Sequence, residues 1–250
     1  MMELLKKLYE PHAVKARARL DTDPALCRLL SPSIEPRVLE RFLIEWMARA
    51  VYMTEPVDGW IRGAGQRCIE QGMAKMGQAL ITHAKSETGH HLMTLEDAHS
   101  LVRHWNTRYS PTLSVQELCA QPPLESMRAY RQLHDDTLQG AFPVGQIAIE
   151  REVGYLAVYF GPRLMQQVER LLGPEVAAML TFLTEHVAVD VGHTLLNEKM
   201  LEEAITRTPD NARIYAETGA RAMALYIRFL GDCLNTVEDL FSPLRASVAA

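Results

Sequence analysis

The segment His186-Val-Ala-Val-Asp190-Val-Gly-His193 places three potential metal ligands at offsets of four and three residues. On an α-helix turning about 100° per residue, those offsets bring the three side chains within about 60° of one another on one face. The flanking runs Ala178-Met-Leu-Thr-Phe-Leu183 and Thr194-Leu-Leu-Asn-Glu-Lys-Met200 are good helix formers with apolar periodicity and no proline, so a helix is expected. A buried hydrogen-bonded trio, or a polar seam between helices, is the alternative reading of the same three residues.

Ligands from other helices would have to complete such a site, and two places offer them. Glu87-Thr-Gly-His90 is a Glu-x-x-His pair which, on one helix, sets a carboxylate and an imidazole about 60° apart. Glu150 follows the apolar stretch Gln146-Ile-Ala-Ile, and a buried carboxylate demands a counter-charge that a metal ion supplies. Glu152 is the rival carboxylate, with Glu150 favoured because Ile147 and Ile149 imply burial beside it. The set Glu87, His90, Glu150, His186, Asp190 and His193 mixes carboxylates and imidazoles, which suits two iron or manganese ions better than zinc. From His186 to His193 a helix rises roughly 10 Å, too far for one ion, whereas two ions about 3.5–4 Å apart let each histidine serve one. Glu150 would then bridge, with Glu87, His90 and His186 on the first ion, Asp190 and His193 on the second, and open positions left for dioxygen. His83, His91 and His99 lie near Glu87 as outer hydrogen-bond donors or partly exposed residues, while His12, His104 and His134 carry less signal. Tyr155 and Tyr159, one turn apart after Glu150, either line a substrate pocket or pack in the core.

The elements that must position these groups read as helices throughout. Gly and Pro punctuate amphipathic stretches, no alternating strand pattern appears, and 250 residues without a clear linker fit one all-α domain. Short N-terminal helices occupy residues 1–31, broken at Pro11, and a core of about 33–241 follows as a bundle of around seven principal helices. Within it, Arg37 to about Thr54 is a long amphipathic helix, Met73 to Met93 another, Val144 to Phe160 and Pro162 to Leu172 a pair, Pro174 to about Thr206 the ligand helix, and Asp210 to Phe241 the last, before a frayed tail. Ser114-Val-Gln-Glu117 has capping-box spacing.

A net charge of −5 without a sustained Lys/Arg cluster argues against nucleic acid as partner, and Lys15-Ala-Arg-Ala-Arg19 reads as a solvated helix face. No apolar run approaches the roughly 18 residues of a membrane span, and the first residues lack a secretory pattern, so a cytoplasmic protein without membrane association is expected. Cys27, Cys68, Cys119 and Cys233 show no paired spacing and read as reduced, mostly buried small hydrophobes.

Glu-x-x-His, a glutamate some sixty positions later, then His-x-x-x-Asp-x-x-His resemble, in that order, the haem-oxygenase-like di-iron oxidases and oxygenases. The likeness is nearest to the branch of bacterial fatty-acid decarboxylases that make terminal alkenes. Leu39-Glu-Arg-Phe-Leu-Ile-Glu-Trp46 looks like that group's early core helix and Ala148-Ile-Glu150 like its middle glutamate. The resemblance spans roughly residues 30–240. It implies a seven-helix, often dimeric protein whose six matched residues bind two Fe(II) ions, the second often weakly held, with O₂ as co-substrate and an electron donor as a further partner. The implied substrate is a small amino-acid or carboxylic-acid metabolite, undergoing oxidative C–C cleavage, decarboxylation or N-oxygenation. A metal-independent enzyme of the same fold, thiaminase-like hydrolase or cofactor-free oxidase, is the alternative; no cysteine stands between Val144 and Phe160 to serve as a thiaminase-like nucleophile.

Overall fold

Helix signals recur along the whole sequence, and the computed structural model, which describes residues 2–242, holds helices and no strand among those residues. A π-helical turn, Leu5–Tyr9, runs into α1 (Glu10–Thr22). Pro11 does not interrupt it, because in the first turn of a helix the missing N–H has no partner to lose. α2 (Pro24–Leu29) is capped by Asp23, whose carboxylate accepts from the Ala25 amide. Then come α3 (Pro36–Thr54), α4 (Val57–Glu70), α5 (Ala74–Glu87), α6 (His90–Asn106), α7 (Val115–Cys119), α8 (Glu125–Gln139), α9 (Gly145–Leu172), α10 (Pro174–Ala177), α11 (Thr181–Arg207) and α12 (Ala212–Phe241).

α3 is the central rod, buried on all sides from Val38 to Ala50. Its buried charges are paired: Glu45 with Arg41 and Arg49, and Glu40 with His104 and Arg108. α6 packs on α3, α5 on α4, and α9 on both α11 and α12. The α4–α5 contact is backbone to backbone: a Cβ at Gly65 would stand 2.7 Å from the Gly77 carbonyl oxygen, so only glycine permits this approach.

Besides the break expected at Pro11, three element boundaries differ from expectation. The stretch Met73 to Met93 is not one helix: α5 ends at Glu87, Gly89 takes φ +90°, and α6 begins at His90. Pro162 stands inside α9 without ending it, since the buried row Leu156, Phe160, Leu164 and Val168 continues across it and packing outweighs the lost hydrogen bond. The ligand helix starts at Thr181 rather than Pro174, where Asp97 of α6, buried, accepts from the Phe182 amide at 2.9 Å and the Thr181 hydroxyl at 2.7 Å. That cap ties α6 to α11. Ser114 Oγ accepts from the Glu117 amide, as the capping-box spacing suggested.

Lys15 to Arg19 is not a wholly solvated face, because Arg17 turns inward to Glu10 and Glu152. None of the four cysteines is paired; Cys68 and Cys233 are buried, Cys27 and Cys119 exposed. Among the described residues no helix is long and apolar enough to cross a membrane. The tail expected after Phe241 lies, from residue 243, outside the described residues.

Candidate metal centre

Four helices bring the chemistry together. Glu87 closes α5, His90 opens α6, Glu150 lies in α9, and α11 carries His186, Asp190 and His193. All six line one cavity whose empty volume, its open mouth included, is about 980 Å³. The Glu-x-x-His pair reaches it by a different route from the one its spacing suggested. It straddles the Gly89 turn instead of sharing a helical face, yet Glu87 Oε2 and His90 Nδ1 stand 2.8 Å apart. The two atoms are close but misaligned for a hydrogen bond, leaving the buried His90 Nδ1 without a hydrogen-bond partner.

Glu87 is the hub. Its Oε1 lies 3.5 Å from His193 Nδ1 and 3.8 Å from His83 Nε2, and the carboxylate is only 8% exposed. The ligand atoms of Glu87, His90 and His186 all fall within 4.8 Å of one another, and so do those of His83, Glu87 and His193. His186 donates from Nδ1 to the Phe182 carbonyl at 2.7 Å, which fixes its tautomer and leaves the Nε2 lone pair free for a metal. His193 Nδ1 also lies 3.3 Å from Asp190 Oδ1.

Glu150 is held from behind. Gln146 donates from Nε2 to Glu150 Oε1 at 2.6 Å and accepts at Oε1 from His134 Nδ1 at 2.9 Å. His134 is stacked on Trp60 at 3.9 Å with an interplanar angle of 9°. Glu152 is elsewhere: it is fully buried, accepting from Tyr9, Arg17 and Arg151. Tyr155 and Tyr159 stack on each other, with Tyr155 under Arg17 and Tyr159 bonded to Asp21, and neither lines the cavity.

The electrostatics follow from this crowding. Burial pushes the Glu150 carboxyl well above its ordinary value, and the charges of Glu87 and Asp190 push it the same way. Burial also opposes ionisation of Glu87, but the contact with His90 and the nearby His83 and His186 outweigh it and lower its pKa. The Glu87 contact raises His90, and the Asp190 contact raises His193 against the opposing effect of burial. Burial lowers His83. Three carboxylates and four imidazoles thus face one space, and no lysine or arginine stands among the described residues lining it. Such a donor set fits divalent cations, which supply the positive charge that the protein withholds.

Spacing alone did not single out His83 as a site residue. The signal was present, since His83 stands one turn before Glu87 on the same face, but a lone i, i+4 His–Glu pair is ordinary on helices. Gln146 and His134 gave no signal, because their role depends on how α8 meets α9.

No protein-family model matches the chain, and no curated protein matches it. Among solved structures, it is similar to the crystal structure of a domain of unknown function with a heme oxygenase-like fold from Shewanella denitrificans. The two are 16% identical, with a TM-score of 0.73 over 95% of each chain. At that identity the likeness shows the fold alone, and the chain has the haem-oxygenase-like fold.

Proposed function

We propose that the protein is a non-haem di-iron oxidase or oxygenase acting on a small carboxylic acid with an apolar body. The observation that carries the reading is the convergence of Glu87, His90, Glu150, His186, Asp190 and His193 on one cavity with no lysine or arginine among the described residues lining it. Two ferrous ions bound by these residues would supply the electrons and open coordination positions that activate O₂. The imidazole of His186, its tautomer set by Phe182, and that of His90 hold one side of the site, while His193 and Asp190 hold the other. Glu150, steadied by Gln146, lines the same cavity and would contribute a third carboxylate to the ions.

The substrate class follows from the remaining walls. Trp46, Met53, Val153, Leu156, Phe160 and Leu230 make the cavity largely apolar, and they exclude water from a bound hydrocarbon chain. With no lysine or arginine among the described residues of the lining, a substrate carboxylate has the metals, the Asn197 amide and the hydroxyls of Thr54, Tyr130 and Tyr226 to meet. Asn197 is 1% exposed, lines the cavity, and has neither amide atom hydrogen-bonded.

The test is O₂ uptake by the Fe(II)-loaded protein across a panel of fatty and amino acids, with His186→Ala and Asp190→Ala as controls. Uptake triggered by aliphatic acids and abolished in both variants, with helical content kept, is the expected outcome. Full activity in either variant contradicts the ligand assignment.

A further inference from the structure

His83 is the one imidazole in the cavity that the six-residue set leaves without a task. It stands one turn before Glu87 on α5, is 6% exposed, and turns its Nε2 toward Glu87 Oε1 at 3.8 Å, too far for a hydrogen bond. Its other nitrogen faces the Ser86 hydroxyl at 3.3 Å, which orients the ring with Nε2 toward the cavity. The ring meets that of His193 edge-on, centroids 4.5 Å apart at 80°, much as His90 meets His186 at 4.8 Å and 71°. The cavity therefore holds two matching His–His pairs, one on either side of the Glu87 carboxylate.

Two imidazole nitrogens with no hydrogen bond between them, beside a shared carboxylate oxygen, leave room for a cation. Metal–ligand bonds of about 2.0–2.2 Å place ligand atoms on opposite sides of one ion roughly 4.4 Å apart. The atoms of His83, Glu87 and His193, all within 4.8 Å of one another, need little adjustment to meet that. Resting on the di-iron reading above, we propose that His83 is a direct ligand of the second metal ion, so that each ion has two imidazoles and a share of Glu87. The site then uses seven residues rather than six. The second ion, held by His83 as well as His193 and Asp190, is retained instead of being readily lost.

The test is an anaerobic Co(II) titration of the full-length apoprotein, followed by visible absorption and metal quantification, in the wild type, His83→Ala, His83→Gln and His90→Ala. The wild type is expected to take up two ions per chain. Both His83 variants should keep one ion at wild-type affinity and bind the other at least 10–100-fold more weakly, with the absorption of the second equivalent altered. Retention of the first ion also shows that each variant is folded. His90→Ala should lose the other ion. Two ions bound at wild-type affinity in both His83 variants overturn the inference and leave the di-iron reading standing, whereas a single wild-type ion insensitive to His83 overturns the inference and counts against a two-ion site. No binding by the wild type overturns the di-iron reading and this inference with it.

Discussion

At the scale of single residues, the clearest assignment is between two carboxylates two positions apart. Glu150 faces the cavity, and Glu152 is consumed by Tyr9, Arg17 and Arg151. The apolar run before Glu150 announced a buried carboxylate, but Glu152 is the fully buried one of the two and Glu150 is half-buried on the cavity wall. What separates them is what each faces across a helix interface, the cavity for Glu150 and the Tyr9 and Arg17 side chains for Glu152, which a single sequence does not display. Gln146 shows the same point: its two amide ends bridge His134 and Glu150, so the candidate bridging carboxylate is oriented from outside the site. Gln146→Leu should leave helical content unchanged and weaken metal binding by about 10–100-fold, as removal of a partner behind a ligand commonly does. Unchanged affinity in an anaerobic titration would show that Gln146 has no such role.

At the scale of elements, the Gly89 turn decides how the site is assembled. The sequence Ser86-Glu-Thr-Gly-His-His contains no proline, and one glycine inside a helix costs only about 1 kcal/mol relative to alanine, so a continuous helix was the natural expectation. The break is a tertiary effect. α5 packs on α4 and α6 on α3, and the chain must change direction between them. Gly89 at φ +90° provides that change and folds His90 back against Glu87. Gly89→Ala should destabilise the fold by about 1–2 kcal/mol, the cost of a left-handed conformation with a Cβ, and should weaken metal binding. Thermal melts and a metal titration check the two effects separately. α11, by contrast, was legible from its periodicity and its His-x-x-x-Asp-x-x-His spacing, because there the chemistry lies along one uninterrupted helix.

At the scale of the whole molecule, buried charge fastens the N-terminal helices to the bundle. Arg151 joins Glu10, Glu152 and Glu198, while Arg17 joins Glu10 and Glu152, so α1, α9 and α11 share one ionic network. Glu152→Ala leaves two guanidinium groups short of a partner and should cost about 3–5 kcal/mol in urea unfolding. Metal stoichiometry of the folded variant should stay at the wild-type value, since Glu152 does not reach the cavity. Acid sensitivity is also set at this scale. Burial pushes His134 down to about 3, whereas the unfolded imidazole takes up its proton near 6.5. Between those values the unfolded chain binds more protons, so stability is lost as pH falls, by about 1.4 kcal/mol per unit well inside the window. Measured against His134→Phe, which does not titrate, the wild type should lose relative stability steadily from pH 6.5 downward; a constant difference would place His134 in a solvated, ordinary environment.

The central claim, that this cavity is built around two iron ions that react with O₂, is tested most directly by equilibrium titration of the apoprotein with Fe(II) under anaerobic conditions, followed by mixing with O₂. About two irons bound per chain, the one served by His90 and His186 lost in His186→Ala, with iron oxidation on mixing that an aliphatic carboxylic acid accelerates, is the predicted result. A wild-type protein that binds no iron above the level of His186→Ala would contradict it, and the carboxylates and histidines of the cavity would then be a polar seam between helices.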